Sequence, residues 1–324
     1  MKYNFNQIID RTQSNTVKYD IREIYFGKKD IIPLWVADMD FATPECIRKA
    51  VQTRAEHEIY GYSLKPVTYF HSIQNWLKKQ HDWDIDIKNI AFSPGVVPGL
   101  VLSIMALTNP GDKIIVQTPV YFPFFTSVEG NDRQMIINPL KDTNGYYSMD
   151  FDDLKSKIDQ HTKMILLCNP HNPVGRVWRK EELEELVDIC ELHDILILSD
   201  EIHADLVFAP NKHIPLASIS EKAARRTITL MAPSKTFNIA GLSSSFVIIE
   251  NQELLKRYES ALDSYHLAHG NLFGNVATEA AYTEGKGWLE ELLIYLEGNI
   301  NFTSAFLSKH LPQLHFNKPE GTYL

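Results

Sequence analysis

A mostly parallel α/β sheet is the fold class that this sequence predicts, and three observations carry the prediction. Short apolar runs at 113–117, 163–168, 195–198 and 227–231 alternate with helical patterns such as 181–192, the rhythm of strand–helix–strand units. Two of the runs, MILLC and ILIL, are apolar at successive positions, as expected for strands covered on both faces. Polar clusters (CNPHNPVG, SDEIH and APSK) follow directly on three of the runs. Ligands in such sheets collect beyond the carboxyl ends of the strands.

The elements justify themselves in order. Thr43 followed by Pro44 reads as a helix cap and a first-turn proline, with Ile47, Ala50, Val51 and the later Ile59 as the apolar stripe behind it. Ser93, Pro94, Gly95, Val96 and Val97 read as a strand end opening into a helix. Backbone N–H groups and the positive helix end there suit an anion, although an ordinary glycine turn has the same appearance.

With 324 residues, 44% of them hydrophobic, the chain has enough material for one large domain and a smaller one. A net charge of −9 argues against nucleic-acid and anionic-membrane surfaces, which need a basic face. Cys46, Cys168 and Cys190 are an odd set without close pairs, pointing to no disulfide framework or metal site and to a reducing compartment. Neither a signal-peptide core nor a long uncharged apolar stretch is present, so the expected location is cytoplasmic, with no membrane partner.

Two residues carry the chemistry. Asp200 ends the ILIL run and reads either as a cap or salt-bridged turn, or as an acid partner for a protonated ring nitrogen of the kind found in pyridoxal phosphate (PLP). Lys235 lies just beyond the 227–231 run, bounded by Pro233 and Ser234 and followed by small residues with no further charge until Glu250. A lysine so shielded has its pKa lowered toward the free base that an imine-forming amine requires, and the same amine can move a substrate's α-proton.

In this order and spacing NPHNPVG, SDEIH and SKTFNIAGL resemble the fold-type I PLP enzymes, the class I/II aminotransferase superfamily. PLWVADMDF, YGY and TPVYFPF are similar to its cystathionine β-lyase (C-S lyase) branch, and the resemblance spans essentially the whole chain. It implies a PLP-dependent-transferase-like large domain, an α/β/α sandwich over 46–285. A smaller α+β domain would be formed by both termini, 1–45 and 286–324. It makes Lys235 the Schiff-base lysine and Asp200 the partner of the pyridine nitrogen. Asn172 becomes a donor to the cofactor's phenolic oxygen, or else a turn residue, since Asn-Pro suits both. His203 lies near the same oxygen unless it is a core histidine, and Tyr121 stacks on the ring unless it is simple aromatic packing. Gly95, Val96 and Val97 form the phosphate loop, with Ser234 a further contact. Tyr62 reaches the phosphate of a neighbouring subunit, implying a homodimer with shared active sites, or else is a surface tyrosine. Residues 35–40 line the substrate entrance, with backbone near Ala37 at the carboxylate, or else form a buried loop.

Three departures qualify the resemblance. Many aminotransferases of the superfamily have a phosphate-binding arginine eight residues after the lysine, where this chain has Ser243, and Ala232 occupies a position often held by a phosphate-binding serine. The first favours lyase over aminotransferase. FNKPEGTYL matches the start of a strand in a C-terminal domain that continues in relatives and carries their carboxylate-gripping arginine. If the 324 residues are the whole protein, catalysis should be severely impaired. The expected activity is α,β-elimination of L-cystathionine or cysteine S-conjugates to pyruvate, ammonia and a thiol. The rivals are a PLP-dependent aminotransferase and a non-catalytic regulatory protein. No metal is expected.

Overall fold

Burial on both faces shapes the central strands. The structure, a computed structural model, describes residues 2–323. Nine strands are present among them: β1 (Ile90–Ser93), β2 (Lys113–Thr118), β3 (Gln134–Pro139), β4 (Lys141–Thr143), β5 (Tyr146–Ser148), β6 (Thr162–Cys168), β7 (Leu196–Asp200), β8 (Thr227–Met231) and β9 (Ser245–Ile248). β4 and β5 form a small hairpin, and the other seven form one sheet in the order β1-β9-β8-β7-β6-β2-β3. β3, β2, β6, β7 and β8 run parallel. β9 is antiparallel to both β8 and β1. The predicted mostly parallel α/β sheet is thus observed, with strand limits within two residues of the expected ones.

The alternation of Cβ directions along a strand explains the unbroken apolar runs. In β6, Met164, Leu166 and Cys168 enter a core shared with Leu100 and Ile104 of the helix Val96–Leu107 and Tyr258 of the helix Gln252–Ser264. Ile165 and Leu167 enter the opposite core, with Leu183, Leu186 and Val187 of the helix Lys180–Leu192. A third core joins Ile47 of the helix Glu45–Ala55, Ile73 and Leu77 of Val67–His81, Ala277 of Leu272–Glu284, Trp288 of Lys286–His310, and Phe5 and Met39 from the N-terminal segment.

One predicted helix start differs. Pro44, not Thr43, is the N-cap residue of Glu45–Ala55, and no side chain caps it. The Thr43 hydroxyl donates instead to the Asn238 carbonyl, 3.0 Å away. A tertiary acceptor takes the group that the local pattern assigned to a cap. Ile47, Ala50 and Val51 do pack on the core, whereas Ile59 lies beyond the helix end and is 69% exposed.

Near the C-terminal end of the described chain, residues 320–322 pair with 206–208. Phe208 N–H donates to the Glu320 carbonyl and Thr322 N–H to the Leu206 carbonyl. Gly321 and Val207 form an antiparallel bridge. Glu320 also accepts from the guanidinium of Arg176 at 2.9 Å, and Arg176 further engages Glu182 and the Tyr147 carbonyl. No helix of the described residues is long and apolar enough to cross a membrane.

Candidate active site

The strands β6, β7 and β8 deliver their polar ends to one place. Cys168 ends β6, Asp200 ends β7, and the chain after Met231 of β8 turns through Ala232 into a short helical turn, Pro233–Thr236, that carries Lys235. Opposite them, β1 ends at Ser93 and the helix Val96–Leu107 opens behind Gly95. Gly99, one turn along, lets this helix lie against the sheet, because a Cβ there would come 2.5 Å from Leu230 Cδ2 and 2.7 Å from Ser93 Oγ. The cavity between them measures about 280 Å³ and is lined by Ala37, Gly95, Val96, Val97, Tyr121, Asn172, Asp200, His203, Ser234 and Lys235, among others. Every site residue expected from the sequence is therefore in one cavity except Tyr62, which is 96% exposed and lies outside it.

Lys235 Nζ donates 2.7 Å to the Ala37 carbonyl, and the Tyr323 hydroxyl donates to the same oxygen at 3.1 Å. Burial lowers the lysine's pKa, opposed by the charges of Asp200 and Asp38. Asp200 is 4% exposed, and its carboxylate accepts one hydrogen bond among the described residues, from Ile202 N–H at 3.1 Å. Burial pushes its carboxyl up to about 7, against the pull of that N–H and of Lys235. Burial also drives His203 down to about 3, with the Lys235 charge acting in the same direction, and its Nδ1 has no partner among the described residues. The imidazole is therefore neutral at physiological pH. Burial raises the Tyr121 hydroxyl, helped by Asp200. Cys168 Sγ is inert by the same cause: burial raises the thiol far above its usual range, and the Asn172 N–H points at it from 3.4 Å.

The loop holding Ala37 is fixed from two sides. Asn238, three residues after Lys235, accepts from Met39 N–H at 3.0 Å and donates to the Met39 and Phe41 carbonyls at 2.9 and 2.8 Å. Arg11 grips Asp38 with two hydrogen bonds, 2.9 and 3.0 Å, and reaches Asp40 at 2.7 Å, while Lys18 pairs with Asp40 at 2.9 Å. Asn238 was legible as part of SKTFNIAGL but its use was not, and nothing in the sequence marks Tyr323. Ser243 and Ser244 also line the cavity, so the serine standing where aminotransferases carry arginine faces the site. No group of three or more metal-ligating side chains occurs among the described residues.

Residues 29–322 match the family described as aminotransferase class I and II. The chain belongs to this family. Among the aminotransferase class I and II relatives, it is 42% identical to cystathionine beta-lyase PatB of Bacillus subtilis over 322 residues, covering 99% of this chain and 83% of PatB. The fold superposes on cystalysin from Treponema denticola, whose structure contains pyridoxal 5'-phosphate. The TM-score is 0.96 and the identity 35%, over 100% of this chain and 83% of that one. It is also similar to a PLP-bound C-S lyase from Staphylococcus hominis, with TM-score 0.92, 38% identity, and coverage of 99% and 81%.

Proposed function

We propose that this chain is a PLP-dependent carbon–sulfur lyase acting on L-cystathionine or cysteine S-conjugates, and that Lys235 is its catalytic residue. One observation carries the reading: a shielded lysine amine and a buried, nearly unpartnered carboxylate open into the same cavity as the start of a twelve-residue helix.

These residues fit pyridoxal phosphate. Asp200 has acceptor capacity unused by the protein, which suits a protonated ring nitrogen. The orphaned Nδ1 of His203 and the side chain of Asn172 suit the phenolic oxygen, and Tyr121 suits a ring face. The backbone of Gly95, Val96 and Val97 at the helix N-terminus, with Ser234 and Ser243, suits a phosphate dianion. Bound there, the cofactor supplies an electrophilic carbon for the substrate amine and an electron sink for the electrons of the Cα–H bond. The protein's part is acid–base chemistry and orientation. Lys235 Nζ, with its pKa lowered by burial, takes the α-proton and can return it to a leaving group. Asp200, ionised opposite a cation, keeps the ring nitrogen protonated. Ser243, neutral where a guanidinium would add charge, leaves the phosphate to backbone and hydroxyl donors. The substrate's thiol departs, and water hydrolyses the released three-carbon aminoacrylate to pyruvate and ammonia.

The elimination reading is supported by the C-S lyase names of the similar proteins and by Ser243 in the cavity wall. The same proposal includes the split into a large domain, 46–285, and a smaller unit from 1–45 and 286–324. In the third core Phe5 and Met39 of the smaller unit meet Trp288, and all three pack on Ile47, Ile73 and Ala277 of the larger one. The proposal also includes a cytoplasmic setting, supported by three unpaired cysteines, and a homodimer in which Tyr62 reaches the partner's phosphate. The neighbouring exposed Ile59, Tyr60 and Leu64 support the latter, and sedimentation of the active enzyme as a monomer would count against it.

The deciding experiment has two parts. Purified wild type should carry a visible absorbance band that borohydride fixes covalently to the protein, and Lys235→Ala should not; a fixed band in the variant removes Lys235 from its role. Wild type should then release pyruvate from L-cystathionine with no added keto acid, and a strict keto-acid requirement would make it an aminotransferase.

A further inference from the structure

Behind the cavity lies a buried polar group that the chemistry above does not use. Asp205 has a side chain only 5% exposed and accepts three hydrogen bonds. Trp76 Nε1 donates to Oδ1 at 3.0 Å and His81 Nε2 lies 2.9 Å from the same oxygen, while Thr236 Oγ1 donates to Oδ2 at 3.0 Å. Trp76 and His81 both belong to the helix Val67–His81.

The positions of these partners give the arrangement its meaning. Asp205 follows Asp200 by five residues and His203 by two, on the segment leaving β7, and Thr236 is the residue after Lys235, on the turn leaving β8. β7 and β8 are hydrogen-bonded neighbours, but their ladder ends with Glu201 N–H on the Leu230 carbonyl. Asp200 is held in this ladder opposite Leu230, but past that point the segment that carries Asp205 and the turn that carries Lys235 share no backbone hydrogen bond among the described residues, so the ladder does not fix where the lysine sits. The Asp205–Thr236 bond crosses the gap, and Trp76 and His81 anchor it to a third element. A carboxylate suits this point because it only accepts. An amide would turn its NH₂ toward the donors on one side.

We propose that Asp205 is a positioning residue that, through Thr236, sets where the Lys235 amine sits relative to Asp200; the proposal rests on the cofactor reading of the cavity. The titratable groups around Asp205 are His81, His213 edge-on to His81 with ring centroids 5.3 Å apart, and Tyr282 on the helix Leu272–Glu284. None of them lines the cavity. A purely structural role would therefore be felt in melting temperature and not in the titration of the cofactor-bound lysine.

The test compares wild-type holoenzyme with Thr236→Val, which keeps the shape of the side chain and removes the hydroxyl, and with Thr236→Ser, which restores the hydroxyl. Removing the hydroxyl should move the pH midpoint of the visible band by about half a unit or more. It should also lower kcat for L-cystathionine about tenfold, with KM changed by no more than about twofold, because orientation of the base is lost and binding is not. Thr236→Ser should return the midpoint and kcat to near the wild-type values. If Thr236→Val merely melts earlier, with midpoint and kcat unmoved, or if Thr236→Ser restores neither, the proposal is overturned. Should Thr236→Val give no folded protein, Trp76→Phe loosens the same carboxylate from its other oxygen, and an unmoved midpoint there overturns it equally. A wild type with no visible band overturns the cofactor reading and this proposal with it; a normal wild type matched by Thr236→Val overturns this proposal alone.

Discussion

Burial holds the Asp200 carboxyl near neutrality, and little opposes it: one backbone N–H donates to the carboxylate, and Lys235 acts on it without a contact short enough to be an ion pair. The consequence for stability has a definite sign. A carboxyl raised in the folded state stabilises fully below its unfolded pKa, near 3.8, and loses that contribution as pH rises through about 7. In cofactor-free protein, Asp200→Asn should therefore melt higher than wild type at pH 8, and the gap should narrow as the pH falls to 5. Calorimetry on the two proteins without cofactor checks this, and a gap that widens on acidification would refute it. With cofactor bound the order should reverse at pH 8, since the charge that burdens the free protein then meets a cation. Asp200 and Lys235 were readable as residues because each directly follows a run of buried strand, where polar side chains are few. Thr43 was misread and Asn238 overlooked for one shared reason. Their hydrogen bonds join positions nearly two hundred residues apart, and local pattern holds no record of that.

Among elements, the loop over the cavity shows how a segment without regular structure is held. Asn238 sits in the left-handed region at φ 57°, and its amide makes all three of its hydrogen bonds to the backbone of residues 39 and 41. Asn238→Ala loses these bonds and keeps the unfavourable φ, and should cost about 2 kcal/mol in urea unfolding. Hydrogen exchange at residues 37–41 should accelerate in the variant, while exchange in β6 and β7 stays slow. Equal acceleration in both places would mean that the amide supports the whole fold and not the loop. The βαβ succession itself was legible, because strands buried on both faces and amphipathic helices leave different periodicities. The docking of the N-terminal segment through Arg11 and Lys18 was not, because charged residues on a loop look the same whether solvated or clamped.

At the scale of the molecule, Arg176 links four stretches of chain. It is 3% exposed and reaches the Tyr147 carbonyl in β5 of the hairpin, Glu182 on the helix Lys180–Leu192, and Glu320 on the segment that pairs with 206–208. Arg176→Met strands two partly buried carboxylates and should lower stability by about 3 kcal/mol in urea titration. The Glu320→Gln variant, which keeps an acceptor at that position, should lose less than half as much; equal losses would show that charge and not connection is what matters. The meeting of Lys235 and Tyr323 on the carbonyl of Ala37 has a consequence in time. These contacts span 198 and 286 residues. As the ribosome makes the chain, the lysine emerges well before the tyrosine that shares its acceptor, so the Ala37 carbonyl meets the amine first and the hydroxyl only later.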